Sequence, residues 1–232
     1  MAEYDSYARE FSEQRASASL NRLIEEPVVH ELVGDVRGVR ALDAGCGDGS
    51  YARWLAERGA RVVALDASGE LISIAREKNS HELIEYRVHD LSEPLPFEDA
   101  SFGFVLSTLV TEYIEDLGIL FSECSRVLAG GGVLILSCDH PLLSGIVKNE
   151  HGERVLSDYF ARKPRAYSWF GRSIEVYSHT LEDLVRSLID AGFSIDDVCE
   201  PRPVHEAREQ NPSLFERADR IPTILVIRAS KR

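Results

Sequence analysis

No apolar run in this chain approaches the ~18 residues a membrane span needs, so a bilayer-crossing helix is not expected. Its first residues, Met1-Ala2-Glu3-Tyr4-Asp5, are acidic and polar and lack the apolar stretch of a secretory signal. Positive charge is short: 26 Lys and Arg face 39 Asp and Glu, a net −13. A nucleic-acid surface needs the opposite balance, which argues against nucleic acid as the main partner. Cysteine is sparse too. Cys46, Cys124, Cys138 and Cys199 form no C-x-x-C pair, and three of them fall in apolar strand or helix patterns. This usage predicts reduced, buried thiols in a cytoplasmic protein rather than disulfides. The seven histidines show no metal-ligand spacing, so no metal is expected. There is no internal repeat, and 232 residues suit one domain with a single substantial core.

What is present is concentrated at Ala41-Leu42-Asp43-Ala44-Gly45-Cys46-Gly47-Asp48-Gly49. An apolar run precedes it and an amphipathic helix pattern with Tyr51, Trp54 and Leu55 follows it. This is the pattern of a first strand-to-helix turn in an open α/β sheet, with a ligand crevice at the strands' carboxyl ends. Glycine lets the backbone bend sharply and lets a ligand touch the main chain. A dinucleotide fingerprint, G-x-G-x-x-G, needs a third glycine where this chain has Ser50. Asp48 falls where a pyrophosphate would meet the helix N-terminus, and its carboxylate would repel phosphate. The loop suits an adenosyl ligand that carries positive charge and no phosphate. A strand pattern over Arg61 to Leu65 then ends in Asp66, about 20 positions past the loop, where an acid can accept from both ribose hydroxyls. A helix cap before Ser68 is the plainer role for Asp66.

These residues closely resemble motif I of the class I S-adenosylmethionine-dependent methyltransferases, in the small-molecule branch similar to enzymes of ubiquinone biosynthesis. Two further stretches share the likeness: Leu95-Pro96-Phe97 with Ser101-Phe102, and Arg126-Val127-Leu128 before Gly130-Gly131-Gly132. The resemblance implies a Rossmann-like doubly wound α/β sheet of seven mostly parallel strands, the last antiparallel and inserted beside the fifth. It implies S-adenosylmethionine as cofactor, S-adenosylhomocysteine as product and a small-molecule acceptor. Carried onto this sequence, the cofactor residues are Asp43, Gly45, Cys46, Gly47, Asp66, Ala67, Asp90, Leu91 and Ser107, with Tyr7 reaching in from an N-terminal lid.

Along the chain, Tyr4, Tyr7 and Phe11 form a short helical stripe. It reads equally as a packed helix and as a lid, within a helical segment spanning residues 1–34. Pro27 interrupts the apolar pattern of residues 17–33 and predicts two short helices. Further helices are expected over 69–78, over about 112–128 with Gly130 to Gly132 as its stop, and from Thr180-Leu181-Glu182-Asp183, which resembles a capping box. Strands are expected at Val39 to Leu42, Leu83 to Val88, Phe102 to Leu106, Val133 to Ser137, Phe193 to Val198 and Thr223 to Ile227. Residues 139–178 break the βα rhythm and are rich in aromatic and basic residues, as a substrate cover would be.

Methyl transfer from an activated sulfonium mainly needs alignment and exclusion of water. A hydroxyl or acidic carbon acceptor also needs a base. The candidate is His140, at the crevice mouth, with strand-end capping as its plainer role. Tyr113, His140, Trp169 and His179 are expected at the acceptor, and Glu112 beside Tyr113 can line the same pocket. A nicotinamide-dependent oxidoreductase, or a non-catalytic adenosyl-binding module on a similar sheet, is the competing reading. The sequence leaves the acceptor open, as well as the choice between monomer and homodimer.

Overall fold

A computed structural model describes residues 8–16, 19–162, 164–169 and 172–232. Helix α1 (Ala8–Ala16) is followed by a π-helical turn, Asn21–Glu25, that runs directly into α2 (Glu26–Val33). The two short helices expected around Pro27 are this π turn and α2, joined without a gap: Leu20, Glu25 and Glu26 all keep right-handed helical backbone. Pro27 lies in the first turn of α2, and the wider π turn before it accommodates a residue that cannot donate.

The alternating part follows as β1 (Arg40–Ala44), α3 (Ser50–Glu57), β2 (Arg61–Asp66), α4 (Gly69–Lys78), β3 (Ile84–Val88) and β4 (Phe102–Thr108). Helix α5 (Leu117–Val127) and β5 (Leu128–Asp139) come next. The expected helix over 112–128 is shorter at its start. Thr111–Tyr113 forms a 3-10 turn, Ile114 is extended, and Asp116 caps α5 by accepting from Gly118 N–H. At the other end Gly130–Gly132 lie inside β5, where its pairing with β4 is irregular between Phe102 and Phe104.

The insertion holds α6 (Pro141–Ser144) and two antiparallel hairpins, β6 (Ile146–Lys148) with β7 (Arg154–Leu156) and β8 (Arg165–Trp169) with β9 (Arg172–Val176). The chain finishes with α7 (Leu181–Asp190), β10 (Phe193–Cys199), α8 (Ala207–Gln210), α9 (Pro212–Ala218) and β11 (Ile224–Lys231). The seven-stranded sheet has the order β10-β11-β5-β4-β1-β2-β3. Strand β11 is antiparallel to both β5 and β10, and β1 pairs in parallel with β2 and β4. The strand order reverses between β1 and β4, which opens the crevice there.

Alternate residues of each central strand enter opposite layers. Ala41, Phe104, Leu106 and Ile135 pack with Tyr51 and Leu55 of α3 and Val29 of α2. Leu42, Val105, Leu134 and Leu136 pack with Leu120, Phe121 and Cys124 of α5 and Leu184 and Leu188 of α7. Arg126 of α5 fastens the loop that enters β4. Its guanidinium donates to the carbonyls of Leu95 and Phe97 and to the carboxylates of Asp99 and Glu123. Among the described residues no helix is long and apolar enough to cross a membrane.

Candidate active site

Strand β1 delivers the chain into the glycine loop at the crevice. Gly45 (φ +87°), Gly47 (φ +55°) and Gly49 (φ +81°) take the left-handed backbone that favours glycine. The N–H groups of Gly45 and Cys46 both donate to Leu65 O at 2.8 Å, tying the loop to β2. A Cβ on Gly45 would lie 2.2 Å from Val110 Cγ2, and one on Gly49 would lie 2.4 Å from Tyr86 Oη. Asp66, at the end of β2, leans over the loop. One carboxylate oxygen accepts from Gly47 N–H at 2.8 Å and the other from Ser68 N–H at 2.9 Å.

The entrance to α3 is already filled by protein. Asp48 Oδ1 accepts from Ser50 N–H at 3.2 Å and from Ser50 Oγ at 2.7 Å, so a carboxylate meets the helix terminus. Its Oδ2 accepts from Ser12 Oγ of α1 at 3.0 Å, and Lys78 Nζ donates to that same hydroxyl at 3.1 Å. Asn79 Nδ2 donates to Asp48 O, and Tyr86 Oη donates to Asn79 O, bracing the loop from behind. The buried Cys46 thiol has its pKa pushed well up, first by burial and then by the charges of Asp43, Asp66 and Asp48. Three carboxylates around one glycine loop favour a cationic ligand and disfavour a pyrophosphate.

The other expected cofactor residues lie along the same edge. Asp43 is fully buried in β1, opposite Leu106 of β4. Ala67 follows Asp66 and is partly exposed at the rim. Asp90, just past β3, accepts from Ser92 N–H at 3.0 Å, and Leu91 is buried beside it. Ser107 is buried near the end of β4, and its Oγ has no partner among the described residues. Tyr7 lies outside the described residues.

On the β5 side, Glu112 in the 3-10 turn reaches across the strand ends, and Oε1 accepts from Asp139 N–H. Its Oε2 is buried without a partner among the described residues. Burial, then the Asp139 charge, push the Glu112 carboxyl up to about 8. Two residues earlier on β5, Ser137 Oγ donates to Glu25, which is fully buried and also accepts from Asn21 Nδ2.

His140 does not present a free base. Its Nδ1 accepts from Leu142 N–H at 3.3 Å, capping α6, and its Nε2 lies 2.9 Å from Glu200 Oε1. With Nδ1 accepting, Nε2 carries the proton and donates it to Glu200. Both nitrogens are thus engaged in holding the β5 exit, and the capping role fits this geometry better than proton abstraction. His179 is tied to the turn instead, its Nε2–H donating to Ile114 O at 2.8 Å, next to Tyr177 N–H donating to Glu112 O. Tyr113 sits in the turn itself, partly buried. The backbone of Trp169 ends β8, in the insertion. His179 and Tyr177 also line a groove of about 660 Å³ with Ile114, Leu117 and Ser178.

Residues 42–136, from the core of β1 to β5, match the family model described as "Methyltransferase domain". A solved S-adenosylmethionine-dependent methyltransferase from Mesorhizobium loti superposes with a TM-score of 0.80 at 30% identity, covering 89% of this chain and 97% of that one. The chain belongs to the S-adenosylmethionine-dependent methyltransferases. Its cofactor is S-adenosylmethionine, and the oxidoreductase reading falls away. Among curated relatives, a malonyl-[acyl-carrier protein] O-methyltransferase of Serratia marcescens is 33% identical over 132 residues, 57% of this chain and 50% of that protein. A ubiquinone biosynthesis O-methyltransferase of Xanthomonas oryzae pv. oryzae is 34% identical over 105 residues, 44% of each. The match therefore spans half or less of these two relatives.

Two kinds of residue escaped the sequence. Ser12, Asn79 and Tyr86, which brace the loop, carry no local motif and meet only through tertiary packing. Glu25 reads as one more charge ahead of a proline, with nothing to mark its burial.

Proposed function

We propose that this methyltransferase binds S-adenosylmethionine over the glycine loop and methylates an oxygen of a small metabolite. The observation that carries the reading is Asp66, which ends β2 and is held over the glycine loop by Gly47 N–H and Ser68 N–H. Asp66 takes the ribose hydroxyls, and Ala67 and Leu91 flank the nucleoside. Asp90 accepts from the adenine amino group. The backbone at Gly45, Cys46, Gly47 and Ser107 borders the methionine part, with Asp43 supplying negative charge beneath it. The cluster of Asp43, Asp48 and Asp66 fits a sulfonium. The bound cofactor supplies an already activated methyl group, so the chain's task is to align the acceptor and keep water out. Tyr113, His179 and Trp169 border the acceptor, and His140 holds the exit of β5 in place.

Oxygen is favoured for two reasons. The two partial relatives are both named as O-methyltransferases. The turn after β4 also presents Glu112, a carboxyl with one oxygen buried, as a proton acceptor that an unprotonated amine would not require. The test is calorimetric titration with S-adenosylmethionine and S-adenosylhomocysteine, then a screen for labelled methyl incorporation into hydroxyl-, carboxyl- and amine-bearing metabolites. Binding of both ligands and labelling of oxygen is expected. No binding overturns the cofactor site, and labelling confined to amines overturns the choice of oxygen.

A further inference from the structure

Glu112, half-buried with one carboxyl oxygen fully buried, is the titratable group left over once the cofactor loop has been accounted for. Its carbonyl accepts from Tyr177 N–H at 2.8 Å, and its Oε1 accepts from Asp139 N–H, so both ends of the residue are pinned. The remaining oxygen, Oε2, is buried and meets no donor among the described residues. A carboxylate oxygen in that position pays a desolvation cost unless a proton or a ligand faces it. The turn carrying Glu112 rests on the glycine loop, since Val110, two residues earlier, fills the space above Gly45. Glu112 therefore stands between the cofactor loop and the insertion, at the ends of β4 and β5.

The charged and titratable groups around it are mostly acidic. From β5 come Asp139 and the buried Cys138 thiol, and from the π turn comes Glu25. Arg165 of β8 and Arg217 of α9 act on Asp139. His179 and Tyr177 close the turn from the insertion side, and His140 beyond Asp139 is held by Glu200.

We propose that Glu112 is the catalytic base and that the cofactor's positive charge arms it: protonated in the free protein, it becomes a carboxylate when S-adenosylmethionine binds and then takes the acceptor's proton on Oε2. Burial among acids holds the carboxyl up to about 8 in the free protein, so it starts out protonated at neutral pH. On cofactor binding that first proton leaves to solvent. In the transfer, the acceptor O–H gives its proton to Oε2 as the oxygen's electron pair forms the new C–O bond. The electrons of the broken C–S bond stay on sulfur, which leaves as the neutral thioether. The inference rests on the cofactor reading above.

S-adenosylhomocysteine shares every group of the cofactor except the charged sulfonium, so the pair isolates the effect. Calorimetry at pH 7 in two buffers of different ionisation enthalpy measures the protons exchanged. S-adenosylmethionine is expected to release the larger part of one proton, and S-adenosylhomocysteine little. In Glu112→Gln the release is expected to vanish while the affinity for S-adenosylhomocysteine stays within about twofold, a change of only a few tenths of a kcal/mol. The turnover–pH profile of the variant should also lose its rising limb. Equal proton release with the two ligands overturns the proposal, as does release that survives Glu112→Gln. The comparison of ligands on the unmodified protein stands even if that variant does not fold. Absence of any S-adenosylmethionine binding would instead remove the cofactor reading.

Discussion

Asp66→Ala separates two jobs that one carboxylate performs. In the free protein Asp66 accepts from Gly47 N–H at 2.8 Å and from Ser68 N–H at 2.9 Å. Removing it leaves both donors to water at a half-buried site, a loss of about 1–2 kcal/mol in stability. For a chain of this size that lowers Tm by roughly 2–8 °C. In the complex the variant also loses the acceptor for two ribose hydroxyls. A hydrogen bond to a charged group contributes about 1.5–3 kcal/mol, and water recovers part of the second, so Kd should rise by about 10- to 150-fold. S-adenosylmethionine should lose somewhat more than S-adenosylhomocysteine, because only the former is a cation near the lost charge. Asp66→Asn keeps one accepting oxygen and should fall between the two. Calorimetry gives the affinities, and thermal unfolding shows whether each variant is folded. If both variants fold and bind S-adenosylhomocysteine as tightly as the parent, the ribose does not lie at Asp66 and the placement of the cofactor is wrong.

Other perturbations act on single links of the same structure. Gly45→Ala forces a left-handed alanine, at about 1–2 kcal/mol, and drives its Cβ against Val110; a lower Tm and weakened cofactor binding should appear together by scanning calorimetry and titration. Arg126→Ala frees the loop entering β4 and leaves Glu123 without its cationic partner, held only by Leu95 N–H, at about 2–3 kcal/mol, measurable as a reduced urea midpoint with an unchanged m-value. The raised pKa of Glu112 means that the native chain keeps a proton the unfolded chain has lost. Its contribution to stability is therefore complete below about 4.5 and is lost as pH climbs to about 8. Glu112→Gln should flatten Tm against pH across that window, and an unchanged slope would refute the assignment. His140→Ala removes the cap of α6 and should cost about 1 kcal/mol in chemical denaturation, while the turnover–pH profile keeps its shape; a lost titration limb would return the base to His140.

The glycine-loop edge of the sheet was legible because its geometry is local. Gly45, Gly47 and Gly49 follow one strand, and the acids at Asp66 and Asp90 end the next two. Each lies where the chain must turn, so strand spacing put the glycines and Asp66 on one edge, and the family resemblance added Asp90. Arg126 shows what spacing cannot say. The Leu95–Phe102 and Arg126–Leu128 stretches read as two separate family resemblances, and the fold shows one clamp, with the guanidinium of the second holding carbonyls of the first. The helix expected over 112–128 was misplaced because its apolar stripe runs on past the cap at Asp116. Gly130 to Gly132 looked like a helix stop because strand pairing, which draws them into β5, leaves no local mark.

By itself the sequence determined the alternating α/β order, the loop at residues 45–49 and the acid that ends β2, since glycine torsions and strand periodicity are properties of neighbouring residues. Only the tertiary structure decided that both nitrogens of His140 are engaged. Burial of one Glu112 oxygen and the meeting of Ser12, Asp48 and Lys78 depend on it in the same way. Burial and hydrogen-bond partnership join residues far apart in the chain, and they set which groups are free to move a proton.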